Sequence, residues 1–343
     1  MELLKSLPIH TDKIWSLAIN KPHQLLATAS SDRKIKFIKV GEAHDKNSYN
    51  VVDELDDSIH KKSIRTVAWR PSEYTHMPVL AAGSFDTTVS IWGKENDESI
   101  LSENNNGTIE LLALIEGHEN EVKCCNWSHN SQYLASCSRD KTVWIWEADD
   151  YSEDFECVAV LQEHSQDVKH CVWHPHKLLL ASSSYDDSIR IWREFDDGDD
   201  WECAAVLEGH EGTVWCSSFE PNSATENIRL CSSSDDGTVR IWKLIEDHDD
   251  DDEQKWNQES VLPQAHSRQV YHCDWNTNGY IASCGADGKI VVYKEEEKFS
   301  GKWSILFEKN DAHGCYEINT VKWIDDNRLA TADDNGTVNI WKI

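Results

Sequence analysis

The chain lacks most of the signals that mark a membrane protein, a cofactor enzyme or a nucleic-acid binder. No N-terminal stretch shows the charged, apolar and small-residue succession of a signal peptide, and no apolar run approaches the eighteen or so residues that span a bilayer. Both absences lead us to expect a soluble intracellular chain. Basic residues are scarce: 33 Lys and Arg stand against 62 Asp and Glu, a formal net charge of -29. Phosphate binding depends on accumulated Lys and Arg, so nucleic acid and anionic membrane are excluded as general partners. The eleven cysteines are odd in number and none form a C-x-x-C pair. Most sit in apolar runs, as Cys157, Cys171, Cys203 and Cys231 do, and read as reduced, small core residues. There is no phosphate-cradling Gly loop, no G-x-S-x-G elbow and no isolated Ser, His and Asp constellation. The acidic stretches are too numerous and solvated to nominate an acid-base pair. No enzyme activity and no cofactor are expected.

Present in abundance are tryptophan, 16 in 343 residues, and internal repetition. A unit recurs seven times, beginning at His10, His60, His118, His164, His210, His266 and His313. Four residues on comes an aliphatic (Ile14, Ile64, Val122, Val168, Val214, Val270 and, one residue late, Ile318), and five further a large apolar residue (Ile19, Trp69, Trp127, Trp173, Phe219, Trp275, Trp323). The second half carries Asp32, Asp86, Asp140, Asp186, Asp236 and Asp287, with Asn335 in the seventh unit. Six residues later come Ile38, Trp92, Trp146, Trp192, Trp242, Tyr293 and Trp341. Short segments rich in Val, Ile and Trp between Gly, Asp and Asn turns are strand chemistry, and four strands per repeat fit.

This pattern resembles the WD-repeat family, whose units each fold as a four-stranded blade around a central channel. The resemblance implies an all-β, seven-bladed propeller over 1–343. In the family the His, a second-strand Ser or Thr, the turn Asp and the third-strand Trp share a buried hydrogen-bonded network. Here the hydroxyl position holds Thr28, Ser136, Ser182, Ser232, Ser283 and Thr331. Blade 2 has Ala82 instead, and blades 1 and 7 have Ile38 and Asn335, so incomplete networks are expected in those three. The last unit stops at Ile343 without a fourth strand, while residues 2–8 are unassigned. They are expected to supply that outer strand and close the ring, removing two open sheet edges.

In such a propeller the loops joining third to fourth strands share one face. Here they hold the acidic runs 147–156, 194–202 and 246–253, the 93–108 insertion and Glu295, Glu296 and Glu297. That face is expected to be strongly negative. Two positions per blade report on the opposite face. The residue after the first-strand aliphatic gives Trp15, Arg65, Lys123, Lys169, Trp215, Tyr271 and Asn319. The residue before the turn Asp gives Ser31, Phe85, Arg139, Tyr185, Asp235, Ala286 and Asp334. Aromatics and cations are what protein interfaces concentrate, so Trp15, Arg65, Phe85, Lys123, Arg139, Lys169, Tyr185, Trp215 and Tyr271 are the candidate partner-binding residues. Arg139 stands out, because a guanidinium can fork onto a partner's carboxylate. In the plainer alternative, Trp15 and Trp215 pack between blades, the cations are solvated and Arg139 bridges to Asp186 or Asp187.

No metal site is expected. The seven repeat histidines belong to different blades, and in His170-Cys171 and His272-Cys273 adjacent strand residues point to opposite faces of a sheet. Residues outside the repeat consensus are more telling about function. The stretches 60–71, 83–92, 116–123, 138–147 (S-R-D-K-T-V-W-I-W-E), 161–170 and 182–192 are similar to the cytosolic iron-sulfur protein assembly WD-repeat family. The resemblance implies a non-catalytic scaffold of an iron-sulfur targeting complex, monomeric on its own, working in cytoplasm and nucleus. Its implied partners are a small acidic-domain subunit, a HEAT-repeat scaffold, a hydrogenase-like cluster carrier and apo-client proteins. The alternative of a different class is the substrate receptor of a ubiquitin-ligase or chromatin complex.

Overall fold

The structure is a computed structural model that describes residues 1–41, 49–71, 78–93, 109–194, 200–222, 227–246 and 254–343. The described residues form 28 strands in seven separate four-stranded antiparallel sheets. β1 (Glu2–Pro8) lies apart in the chain from the sheet it joins. The innermost strands of the seven blades are β2 (Ile14–Asn20), β6 (Ile64–Trp69), β10 (Val122–Trp127), β14 (Val168–Trp173), β18 (Val214–Phe219), β22 (Val270–Trp275) and β26 (Ile318–Trp323). Each contacts the next, and β26 contacts β2, so the seven-bladed propeller is closed. Second strands are buried on both faces, as in Leu179–Ser184 and Tyr133–Ser138, which is why they read as near-continuous runs of Leu, Ala, Ser and Cys. Outer strands such as β13 (Phe155–Leu161) expose one face. That corrects the reading of two cysteines: Cys171 and Cys231 are core residues, but Cys157 is exposed and Cys203 half-buried.

The histidine–carboxylate–hydroxyl part of the network is present in all seven blades, and two blades expected to lack a member also keep the indole bond. In blade 4, His164 Nδ1 lies 2.8 Å from Asp186, its Nε2 2.7 Å from Ser182 Oγ, and Trp192 Nε1 donates to the same hydroxyl at 2.8 Å. Nδ1–H donates to the carboxylate, so in the neutral ring Nε2 carries no proton and accepts from the hydroxyl. Blade 2 reaches the same result by another residue. Ala82 pairs directly across the ladder with Ser90, and Ser90 Oγ takes the vacant position, 2.7 Å from His60 Nε2 and 2.7 Å from Trp92 Nε1. In blade 7 the carboxylate is Asp333, two residues before Asn335, at 2.8 Å from His313 Nδ1. Only the blade 1 expectation stands: Ile38 offers no indole, and Thr28 meets His10 at 2.7 Å without one. Replacing Ser90 by Ala leaves a buried imidazole nitrogen and a buried indole N–H without partners. The expected cost is about 2–3 kcal/mol, read as a lowered urea midpoint. Adding Ala82→Ser should restore most of it, and an unchanged midpoint in Ser90→Ala would contradict the assignment.

The same network sets the acid stability. Burial acts to raise the Asp32, Asp140 and Asp287 carboxyls, but the hydrogen bond and charge of the facing His, with backbone amides, outweigh it and hold each down to about 2. A carboxyl depressed in the folded state contributes stability above its unfolded value near 3.8, and that stability is lost as pH falls toward about 2. His174 works at higher pH. Burial, then the charges of His176, Lys177 and His129, lower it from 6.5 to about 3, so the unfolded chain takes its proton first. Melting temperature is therefore expected to decline from pH 6.5 downward and more steeply below about 4. A profile flat between neutrality and pH 4 would contradict this.

Candidate functional site

Every innermost strand begins with the same irregularity. The ladder register shifts between Ile14 and Ser16, Ile64 and Thr66, Val122 and Cys124, Val168 and His170, Val214 and Cys216, Val270 and His272, and Ile318 and Thr320. The residue skipped by each bulge is the one singled out from the sequence: Trp15, Arg65, Lys123, Lys169, Trp215, Tyr271 and Asn319. A bulge re-aims a side chain that regular pleating would bury. These seven stand at one end of a channel cavity of about 240 Å³ whose lining runs along the innermost strands to Ile19, Trp69 and Trp127. The second set is tied to the first by a repeated backbone bond: Phe85 N donates to Ser63 O, Arg139 N to Glu121 O and Tyr185 N to Asp167 O, at 2.9–3.0 Å.

Within this rim the cations lie on the aromatics. Arg65 sits 4.9 Å over the Trp15 ring, Lys123 4.3 Å over Phe85, and Lys169 5.1 Å from Tyr185 and 5.3 Å from Trp215. Trp215 meets Tyr271 edge-on at 5.5 Å, and Tyr271 Oη donates to Glu317 at 2.9 Å. Desolvated cation-aromatic pairs contribute up to about 2 kcal/mol each, which holds the rim rigid. Burial lowers the pKa of Arg65, and it lowers that of Lys123 against the opposing pull of Glu121. The two tryptophans are tied within their own blades, Trp15 donating to Ser31 at 2.7 Å and Trp215 to Asp235 at 2.5 Å, and both line the cavity.

Arg139 occupies a different situation. Its nearest carboxylates are Glu121 at 3.7 Å and Asp167 at 4.0 Å, not Asp186 or Asp187. Both acids are already engaged at shorter range, Glu121 with Lys123 at 2.6 Å and Asp167 with Lys169 at 3.2 Å. The side chain stays 54% exposed, so its planar fork of donors faces outward from a loop fixed by its own backbone. Tyr185, likewise 54% exposed, stands on the neighbouring blade. The rim thus joins all nine candidate residues. Sequence reasoning gave no role to Glu121, Asp167 and Glu317, which organise the rim and each lie two residues before a bulge residue, and it named Asp334 without its contacts to Lys13 and Asn319.

On the opposite face, several acidic residues are internally used. Arg229 is buried and takes Glu220 at 2.9 Å, Glu295 at 3.0 Å and Glu259 at 3.2 Å. Arg193 pairs with Glu202 at 2.6 Å. Residues 94–108, 195–199 and 247–253, which carry much of the expected negative charge, lie outside the described residues.

The family model for the WD domain, G-beta repeat, matches seven times, at residues 1–39, 55–93, 109–147, 155–193, 201–243, 256–294 and 306–342. Among curated proteins, the chain is similar to the probable cytosolic iron-sulfur protein assembly protein 1 of Kluyveromyces lactis, 55% identical across 100% of this chain and 98% of the relative. That of Eremothecium gossypii is 56% identical with the same coverage, and that of Candida albicans 46% identical across the whole of both chains.

Proposed function

This chain belongs to the WD-repeat family of cytosolic iron-sulfur protein assembly protein 1, and from that premise we propose that it serves iron-sulfur protein assembly as a non-catalytic docking platform. Its partners are proteins: a small acidic-domain subunit, a HEAT-repeat scaffold, a hydrogenase-like cluster carrier and apo-clients, met in the cytoplasm and, for nuclear clients, in the nucleus. The observation that carries the reading is the Arg139 guanidinium, half-exposed on a fixed loop between two acids that already hold lysines. A cation so placed offers bidentate hydrogen bonds to an incoming carboxylate, and the rigid aromatic rim beside it supplies desolvated contact area. Rigidity matters because docking carrier and client on one body makes transfer quasi-intramolecular without new chemistry.

Affinity purification of the full chain followed by mass spectrometry tests this. The expected result is joint recovery of targeting-complex subunits and iron-sulfur clients, depleted together by Arg139→Glu. Recovery of a ubiquitin-ligase core without iron-sulfur proteins would overturn it.

A further inference from the structure

One level below the rim, the residue following the bulge residue lines the channel in six of the seven blades, and in four consecutive blades it is a metal-ligating type: Cys124, His170, Cys216 and His272. Three of them converge. Ligand atoms of His170, Cys216 and His272 all lie within 4.8 Å of one another. Cys216 Sγ is 3.8 Å from His170 Nε2, and the two imidazoles meet edge to face with centroids 6.0 Å apart. Two nitrogens and a sulfur bound tetrahedrally to zinc are separated by roughly 3.4–3.6 Å, given metal-ligand distances near 2.0–2.3 Å. The gap to that geometry is about an ångström of side-chain movement.

A second observation points to an occupant. His272 Nδ1 is buried with no hydrogen-bond partner among the described residues. A buried orphan nitrogen is destabilising and calls for an unseen partner. His170 accepts only a long contact on Nδ1, from Ser217 N at 3.4 Å, so moving its proton to Nδ1 to free Nε2 gives up little. Of the cations lining the channel, Lys322 pairs with Asp274 at 2.7 Å, Lys169 with Asp167 at 3.2 Å and Lys123 with Glu121 at 2.6 Å, while Arg65 lies over the Trp15 ring at 4.9 Å.

We propose that His170, Cys216 and His272 form a binding site in the propeller channel for a borderline-soft divalent metal of the zinc class. The set contains no carboxylate or other oxygen, which disfavours calcium and magnesium, whereas imidazole with thiolate suits zinc. Binding breaks the Cys216 S–H bond, forms the sulfur-metal bond and releases the proton to solvent. The fourth position faces the cavity and is open to water. The residues reach one another only across three blades, so the metal would also clamp blades 4, 5 and 6. This inference is independent of the docking reading and can fail alone.

The test uses full-chain protein carrying Cys157→Ser and Cys315→Ser, which removes the two exposed thiols. After chelator treatment it is titrated with Co²⁺ and followed by absorbance. A thiolate-to-cobalt charge-transfer band that saturates at one equivalent and is displaced by Zn²⁺ is the expected result. Cys216→Ser should abolish the band, and His272→Gln should weaken binding on the order of a hundredfold. If Cys216→Ser fails to fold, His272→Gln, altered at a half-buried ring, carries the comparison. No charge-transfer band, or a band that neither substitution changes, would overturn the proposal.

Discussion

Deletion of residues 1–8 is expected to leave a protein that is largely unfolded or aggregated at physiological temperature. β1 is the outer strand of the last blade, paired antiparallel with β28 (Thr337–Lys342) from Glu2 opposite Lys342 to Pro8 opposite Thr337. Its register shifts between Leu3 and Lys5, and the bulged residue, Leu4, is buried among Ile14, Leu17, Ile324 and Ile340. Burying one Leu stabilises by about 1.5–3 kcal/mol. Six cross-strand pairs add some tenths to about 1 kcal/mol each. The combined loss, on the order of 5 kcal/mol, matches the whole net stability of many folded proteins. The deletion also bares the β28 edge, a template for strand addition. Gly336 O, which accepts from Ile9 N and His10 N at 3.0 Å, would remain but could not replace the strand. Leu4→Ala is the graded version, expected to cost about 2–4 kcal/mol. Thermal unfolding of the truncated chain indistinguishable from the full chain would contradict this account of ring closure.

The second large effect is on binding and should leave the fold intact. Arg139→Glu is expected to weaken partner binding on the order of a hundredfold, because an outward cation meeting a carboxylate becomes an anion that repels it. The new carboxylate would also face Glu121 and Asp167, closing the patch to anionic groups. No core atom changes, so melting temperature should move by no more than the effect of an ordinary surface substitution, about 0.5 kcal/mol. Arg139→Ala should fall between, losing the hydrogen bonds without adding repulsion. Titration calorimetry against the recovered partner measures each. Wild-type affinity in a folded Arg139→Glu protein would remove Arg139 from the interface.

Much of this architecture is legible in the sequence because a propeller repeats one solution seven times, and positions that recur declare their role. What was missed lies where one blade solves the shared problem differently. Ala82 signals a gap only until its ladder partner is known, and Ser90, two residues before Trp92, occupies a position where the equivalent blades carry Trp144, Arg190 or Arg240. Asp333 escaped because the family position two residues later was filled by a plausible Asn335. The rim residues were found by counting one step past the first-strand aliphatic. The His170, Cys216 and His272 cluster sits one step further on, and contact between blades, not within them, brings it together. Adjacent-pair reasoning about His170-Cys171 was sound for one strand and could not see a ligand set distributed over three. Cys157 was misplaced because outer strands carry apolar residues on a face open to solvent.

If the propeller serves iron-sulfur protein assembly by docking through the rim around Arg139, iron delivery to clients depends on that residue. The most direct measurement is iron incorporation into a cytosolic iron-sulfur client, followed with radiolabelled iron in cells depleted of the chain and re-supplied with wild-type or Arg139→Glu protein at equal abundance. Client labelling should collapse on depletion, recover with wild type and stay low with Arg139→Glu. Full labelling without the chain would contradict its role in assembly, and full recovery with Arg139→Glu would contradict docking through the rim.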